Sequence, residues 1–196
     1  MRKPDFVTSE LNLDLLPEKR IRTKWNVISG APCSGKTTLI ERFEAMGYRT
    51  VPETARQFID GEFSRGRTIQ ELRGDEAAFQ RRLLDVRLKV EQDLEPDEVL
   101  FLDRAMPEVI TFYRAIGLDP NEILPECTLY TYASVFILDR LPLLKDGVRT
   151  EDDAVSDFHD EWLYRDYRAL GYEVIRVSVM PVPDRIDFIL GKLRLS

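Results

Sequence analysis

Near its N-terminal end the chain reads Gly30-Ala31-Pro32-Cys33-Ser34-Gly35-Lys36-Thr37, which matches the pattern G-x-x-x-x-G-K-[ST] in full. A β-like run at Trp25–Ser29 precedes this stretch, and a helical pattern over residues 37–46 follows it. Glycines let such a loop fold tightly enough to direct several backbone N–H groups at one phosphate, and the following helix adds its positive N-terminal end. The alternative is a chance glycine turn, but the strand before the motif and the helix after it are the context that a phosphate-binding loop requires.

The residues of this loop predict a nucleotide site with a divalent cation. Lys36 would bridge the β- and γ-phosphates, and Thr37 would give Mg²⁺ a hydroxyl ligand. We therefore predict ATP and Mg²⁺ as cofactors, bound by Gly30, Ala31, Pro32, Cys33, Ser34, Gly35, Lys36, Thr37 and Thr38. Because Cys33 lies inside the loop, its alkylation should block nucleotide binding.

The composition is that of one globular domain. The chain has 196 residues, 43% of them hydrophobic and 32% charged, a balance that differs from those of disordered and membrane proteins. No apolar run approaches the roughly 20 residues that span a bilayer, and no secretory signal is apparent, so we predict a cytoplasmic protein without a membrane partner. A net charge of −7 argues against a nucleic-acid partner. The two cysteines, Cys33 and Cys127, have no metal-ligand spacing and are expected to be reduced.

Short apolar runs alternate with helical patterns along the rest of the chain. Strands are predicted at residues 25–29, 49–51, 99–102, 135–138 and 173–178. Helices are predicted at residues 37–46, 75–94, 107–116, 121–132, 150–170 and 184–195. The alternation indicates an α/β fold with crossover helices. We divide the chain into an N-terminal extension, residues 1–23, which either packs on the domain or moves freely, and one nucleotide-binding domain, residues 24–196.

Asp103 and Arg104 directly follow the apolar run of residues 99–102. A carboxylate in that position emerges at the carboxyl edge of a parallel sheet, where open α/β sheets bind their ligands. We predict that Asp103 holds Mg²⁺, directly or through water, and that Arg104 reaches the phosphate acceptor. The alternatives are a strand-end carboxylate that caps a helix and a surface Asp-Arg pair.

Glu53 follows the second predicted strand at the same edge of the sheet. It is a candidate to accept a proton from the attacking hydroxyl group or to orient that group toward the γ-phosphorus. The alternative is an acid in the first turn of a helix, which only favours the helix dipole.

The segment after the fourth strand, residues 141–149, carries Pro142 and Gly147 and no periodicity, which is typical of a mobile loop. Arginines that close over a transferred phosphoryl group stabilise its charge and expel water. We predict a lid here, with Arg140 binding the nucleotide and Arg149 contributing to catalysis; a solvated charged loop is the alternative. The sole histidine, His159, is expected to be structural within the helix that follows.

Four segments together resemble a family of small AAA-type P-loop ATPases related to ribosylnicotinamide kinases. They are the loop Gly30 to Thr37, the run Val51-Pro52-Glu53-Thr54-Ala55-Arg56, the triplet Leu102-Asp103-Arg104 and the run Asp146-Gly147-Val148-Arg149-Thr150-Glu151-Asp152. The likeness covers residues 24–192, and the family in turn resembles nucleoside and nucleotide kinases. It implies a P-loop fold with a five-stranded parallel sheet in the order 2-3-1-4-5, helices on both faces and a lid loop.

The resemblance also implies roles for single residues. Glu53 would be the base, Asp103 and Arg104 the metal and acceptor pair, and Arg149 a lid residue. The loop before the last helix, with Arg185, lies where such kinases hold the adenine. Deoxynucleoside kinases usually carry Glu-Arg where this chain has Asp103-Arg104, and their lid arginines are more closely spaced, so the identity of the acceptor does not transfer.

The leading hypothesis is therefore a kinase whose partner is a small-molecule phosphate acceptor: a nucleoside, a nucleotide or a related metabolite. A regulatory ATPase or GTPase is the second, although the chain has no D-x-x-G and no [NT]-K-x-D segment of guanine-specific switches. An interaction module with a decayed site is disfavoured because Lys36, Thr37 and Asp103 are all present. The sequence leaves open whether the protein forms a homodimer.

Overall fold

A five-stranded parallel sheet lies at the centre of the molecule. The structure is a computed structural model that describes residues 5–141 and 153–193. The strands, in chain order, are β1 Ile21–Arg22, β2 Trp25–Ser29, β3 Arg49–Val51, β4 Leu100–Asp103, β5 Tyr130–Thr131, β6 Ser134–Leu138 and β7 Val174–Val177. The central sheet has the order β3-β4-β2-β6-β7, and β1 pairs with β5 in a separate two-stranded sheet. Counting only the strands of the central sheet, this is the predicted order 2-3-1-4-5, so the predicted fold class is confirmed.

Eight helices in the described part of the chain surround the sheet. They are α1 Lys36–Ala45, α2 Thr54–Ser64, α3 Ile69–Arg73, α4 Glu76–Gln92, α5 Glu108–Ala115, α6 Leu124–Cys127, α7 Asp153–Ala169 and α8 Val182–Leu193. Successive side chains of a strand point to opposite faces. Accordingly, Ile28 packs with α1 and α8 on one face, whereas Val27 packs with α7 on the other. Helices therefore cover both faces, as predicted, and nearly all residues of β2, β4 and β6 are buried.

Two segments differ from the sequence prediction. Residues 54–73 form α2 and α3, which were not predicted; the capping box of Thr68 and Glu71 marks the start of α3. The predicted helix over residues 121–132 is wrong. A 3₁₀ turn at Pro120–Glu122, the short helix α6 and the strand β5 occupy this segment instead. Pro125 lies in the first turn of α6, where proline is tolerated, but it could not lie inside a longer helix.

Other boundaries agree with the predicted ones to within a few residues. Asp75 is the N-cap of α4, since its side chain accepts a hydrogen bond from the N–H of Ala78. The last helix begins at Val182, so Arg185 lies within the first turns of α8 rather than in a loop before it. Except for Leu141, the predicted lid segment, including Lys145 and Arg149, lies outside the described residues.

The N-terminal residues from Asp5 onward lie against the domain. The ring of Phe6 stacks on Phe158 of α7 with 4.0 Å between ring centroids. The N–H of Val7 donates to the carbonyl of Arg114, and the Arg114 guanidinium donates to the carbonyl of Ser9 at 2.6 Å. This segment therefore packs on α5 and α7 before the chain enters β1.

None of the helices within residues 5–141 and 153–193 is both long enough and apolar enough to cross a membrane.

Candidate active site

The loop between β2 and α1 has a backbone that only glycine accommodates easily at two positions. Gly30 has φ +144°, and a Cβ there would lie 2.8 Å from both the carbonyl oxygen of Leu138 and Oγ of Ser34. Gly35 has φ +90° and forms the N-cap of α1. Both positions disfavour a side chain, because such φ values are rare for residues with a Cβ. The sequence pattern thus produces a tight loop directly before the N-terminus of a helix.

Lys36 is folded into this loop. Its Nζ donates to the carbonyls of Gly30 and Ala31 at 3.0 Å and to Oγ of Ser34 at 3.3 Å. Burial, together with the positive charge of Arg104, lowers the pKa of Lys36 to about 8. The ammonium group therefore lies among the atoms that would surround a bound phosphate. Thr37 and Thr38 are exposed in the first turn of α1.

Arg185 contacts the same loop from α8. Its Nη1 donates to the carbonyl of Ser34 at 2.8 Å, while its Nε and Nη2 are buried without a hydrogen-bond partner. Arg140 follows β6, and its guanidinium forms an ion pair with Asp157 of α7. The structure thus brings Arg185 to the loop and directs Arg140 toward α7.

Asp103 ends β4 next to the strand that leads into the loop. It is paired in register with Ile28 of β2, is 4% exposed, and its Oδ1 has no hydrogen-bond partner. Burial, assisted by the negative charges of Glu53 and Glu108, raises the pKa of Asp103 to about 6. An unpaired buried carboxylate oxygen and the exposed hydroxyl of Thr37 are hard oxygen donors, the type that Mg²⁺ prefers. The donor set therefore fits the predicted ion.

Arg104 joins two carboxylates from different parts of the chain. Its Nε donates to Glu53 at 3.0 Å, and its Nη1 donates to Glu108 of α5 at 2.6 Å. Its backbone has φ +70°, which is uncommon for a residue other than glycine, and its N–H donates to the carbonyl of Ile28. This conformation turns the chain after β4 so that the guanidinium lies against Glu53.

Glu53 is the N-cap residue of α2 and makes no side-chain capping hydrogen bond. Burial alone would raise its pKa, but the positive charges of Arg104, Arg87 and Lys36 outweigh that effect and hold the pKa below its ordinary value. Glu53 is therefore a carboxylate at neutral pH. The structure brings it together with Asp103, Arg104 and Lys36 at one edge of the sheet.

A cavity of about 850 Å³ opens beside these groups. Helices α2 to α5 and α7 line it, together with Pro32 of the loop, Glu53 and Arg104. The wall is mainly apolar, with Phe79, Phe112 and Leu83 among its residues. A mostly apolar cavity of this volume, with a few polar groups, is typical of a site for a small metabolite.

His159 lines this cavity and packs edge to face against Phe112. Both of its ring nitrogens are buried without hydrogen-bond partners. Burial, reinforced by the positive charges of Arg104 and Lys36, lowers the pKa of His159 to about 4, so the ring is neutral at physiological pH. The residue expected to be structural thus forms part of the cavity wall.

Sequence reasoning missed three charged residues of this region. Glu108 is fully buried against Arg104, Arg87 lines the cavity, and Glu91 is buried beneath the turn after β4. Glu91 accepts hydrogen bonds from the N–H of Met106 at 3.0 Å and from the hydroxyl of Tyr132 at 2.7 Å. Burial raises the pKa of Glu91 to about 7, against the opposing effect of these hydrogen bonds. No helical spacing marks Glu108 in the sequence, because Arg104 lies in the turn before α5 and has a positive φ.

The sheet order, the glycine loop and the adjacent cavity define a small P-loop protein with the fold of nucleoside and nucleotide kinases. The model of an AAA domain family matches residues 25–185, so the chain belongs to that family. No curated protein matches the chain in sequence.

Three solved structures illustrate the likeness in fold. The chain is similar to a deoxyadenosine kinase from M. mycoides with bound dCTP, at TM-score 0.61 and 18% identity over 88% of this chain and 100% of the other. It is similar to a thymidylate kinase from Ehrlichia chaffeensis, at TM-score 0.59 and 12% identity over 88% and 98% of the two chains. It is also similar to a NadR protein in complex with NR, at TM-score 0.64 and 18% identity over 88% of this chain and 51% of that one.

Proposed function

We propose that the chain is an ATP- and Mg²⁺-dependent phosphotransferase that acts on a hydroxyl group of a nucleoside, a nucleotide or a related small metabolite. We place this activity in the cytoplasm, where thiols such as Cys33 and Cys127 stay reduced. A family match and a shared fold do not by themselves fix a reaction, so the proposal rests on the site.

One observation carries the proposal: a metabolite-sized cavity meets the phosphate loop at the Glu53–Arg104 pair. A phosphotransferase needs this arrangement, because the attacking hydroxyl must lie between a carboxylate and the γ-phosphate while bulk water stays out. A switch that only hydrolyses its nucleotide has no use for an apolar cavity at this position. The cavity therefore favours the kinase over the regulatory NTPase.

The residues take complementary roles in this proposal. The backbone of the loop and Lys36 would bind the triphosphate, and Lys36 would leave its present carbonyl acceptors for the phosphate oxygens. Glu53 would accept a hydrogen bond from the acceptor hydroxyl and orient it, and Arg104 would hold Glu53 in position. Thr37 and Asp103 would hold Mg²⁺, which when bound neutralises negative charge on the phosphates.

The test is ATP turnover by the purified chain with and without a panel of nucleosides and nucleotides. We expect ADP formation that depends on an acceptor and yields a phosphorylated product detectable by mass spectrometry. Glu53→Gln should retain MgATP binding and lose about 10²- to 10⁴-fold in transfer, as is typical of a removed general base. Slow hydrolysis that no acceptor accelerates and a partner protein stimulates would instead identify a regulatory NTPase.

A further inference from the structure

The cavity beside the loop contains a buried arginine that the proposed reaction leaves without a role. Arg87 of α4 lines the cavity and is 5% exposed. Its Nη1 makes no hydrogen bond, and within residues 5–141 and 153–193 no carboxylate forms an ion pair with it. Glu53 and Glu91 lie near enough for Arg87 to lower their pKa values, but within the described residues no direct ion pair offsets the cost of burying the guanidinium. A ligand whose anionic group pairs directly with Arg87 would therefore gain binding energy from it.

Of the three other arginines of the cavity wall, Arg56 is exposed and the remaining two already have carboxylate partners. Arg104 is held between Glu53 and Glu108, and Nε of Arg73 lies 3.9 Å from Glu76. Arg104 and Arg73 are thus already paired with carboxylates of the protein, whereas Arg87 can form an ion pair with a ligand.

Arg87 also lies close to the reaction centre. The guanidinium carbons of Arg87 and Arg104 are 5.8 and 5.5 Å from the centroid of the same ring, that of Phe112. Arg104 in turn contacts Glu53. A single small molecule can therefore present a hydroxyl group to Glu53 and a second group to Arg87.

We propose that the acceptor carries, in addition to its reacting hydroxyl, an anionic group that Arg87 binds: a carboxylate or a phosphate ester. The inference rests on the proposed phosphotransfer and narrows its substrate class. A neutral carbonyl would satisfy the Nη1 donor but leave the guanidinium without a direct ion pair, whereas two oxygens of an anion match both its two parallel N–H donors and its charge.

The experiment compares acceptors that differ only in this charge. One pair is ribosylnicotinamide and ribosyl nicotinic acid, which share a positively charged pyridinium ring and differ in a carboxamide or a carboxylate; the other is thymidine and thymidine 3′-monophosphate. In each pair the anionic member is the one with the carboxylate or the phosphate. For each we would measure kcat/KM with saturating MgATP and, separately, acceptor binding by calorimetry in the presence of MgADP. We expect the wild-type chain to favour the anionic member of at least one pair by about 10- to 100-fold, mainly through KM. The pair that shows the preference distinguishes a carboxylate from a phosphate ester.

Variants then assign the preference to one side chain. Arg87→Gln should reduce the ratio of kcat/KM between the anionic member and its counterpart to near one. Arg87→Lys, which keeps the charge but loses the two parallel N–H donors of the guanidinium, should restore the ratio partly. Arg82→Gln removes an exposed arginine of the same helix and should leave the ratio unchanged.

Two results would overturn the inference: in both pairs the wild-type chain uses the counterpart as well as or better than the anionic member, or the preference survives in Arg87→Gln. If the anionic members bind in an Arg87-dependent way but none is phosphorylated, the phosphotransferase proposal fails while the inference about Arg87 stands.

Discussion

At the scale of single residues, the site combines buried charges whose ionisation depends on one another. Lys36, Glu53, Asp103 and Arg104 lie close enough for each to shift the pKa of others. The loop that holds Lys36 is predictable from eight consecutive residues, because its function depends on local backbone geometry. The pairing of Glu53 with Arg104 joins residues that are 51 positions apart, so it depends on the order of the strands. The roles of these residues stay predictions until they are tested.

The lowered pKa of Lys36 predicts proton uptake when ATP binds. At pH 8 about half of the Lys36 side chains in the free protein are neutral, since the pKa is about 8. Phosphate oxygens favour the ammonium form, so binding of MgATP should take up about half a proton at pH 8 and less at pH 6.5. Calorimetry in two buffers with different ionisation enthalpies measures this uptake. Lys36→Met should bind more weakly and show none; an uptake equal to that of the wild-type chain would refute the assignment.

The two cysteines predict a selective chemical inactivation. Cys33 is exposed within the loop, whereas Cys127 is completely buried and burial raises its pKa well above the ordinary value. N-ethylmaleimide should therefore modify Cys33 alone and abolish nucleotide binding by obstructing the loop, and MgATP should protect against it. Mass spectrometry identifies the modified thiol. Cys33→Ser should resist the reagent, and inactivation of that variant at the wild-type rate would place the reactive group elsewhere.

At the scale of elements, helix α4 holds the turn between β4 and α5 in place. No sequence pattern predicts this contact. Glu91 of α4 accepts the N–H of Met106, and Glu108 accepts that of Ala105 at 3.3 Å. The apolar stripe of α4 was predictable from its period, but the surroundings of Arg87 and the partners of Glu91 depend on how α4 packs against its neighbours. The sequence prediction missed α2 and α3 because their segment mixes charged residues with Gly61 and Gly66. The capping box that begins at Thr68 was nevertheless a recognisable signal for the start of α3. Local sequence patterns thus predicted the strands of the sheet better than the residues of the cavity wall.

Glu91 should make stability depend on pH in a defined direction. Its pKa is about 7 in the folded protein and near its ordinary value of 4.5 when unfolded, so folding favours the protonated form. That stabilisation is complete below about pH 4.5 and is lost as the pH rises through 7. Glu91→Gln keeps an acceptor for Met106 and a partner for Tyr132 but cannot ionise. The free energy of unfolding of Glu91→Gln minus that of the wild-type chain should therefore increase by up to about 3 kcal/mol from pH 5 to pH 8.

Urea denaturation at the two pH values measures this difference, and Glu41→Gln, at an exposed position of α1, serves as the control with no change. A stability difference between Glu91→Gln and the wild-type chain that is the same at pH 5 and pH 8 would show that Glu91 does not titrate between them.

At the scale of the whole molecule, the N-terminal segment and the cavity are connected through α5 and α7. Arg114 of α5 pairs with Asp166 of α7 at 3.1 Å, and its guanidinium lies 4.4 Å from the Trp162 ring centroid. The same guanidinium donates to the carbonyls of Val7 and Ser9. These two helices also carry Phe112 and His159 of the cavity wall. We therefore propose that the residues before the matched region, from Asp5 onward, belong to the folding unit of the domain.

Phe6 tests this proposal, because its ring is the main apolar contact of the segment with α7. It stacks on Phe158 and packs against the cluster that contains Trp162 and Ala115. Phe6→Ala should lower the free energy of unfolding by about 1–3 kcal/mol, since the ring is only half-buried but stacked. Thermal denaturation should show a midpoint lower by about 2–4 °C per kcal/mol for a chain of this size. Leu13→Ala, at an exposed apolar position of the same segment, should leave the midpoint unchanged; equal effects of the two substitutions would mean that the segment does not contribute through this contact.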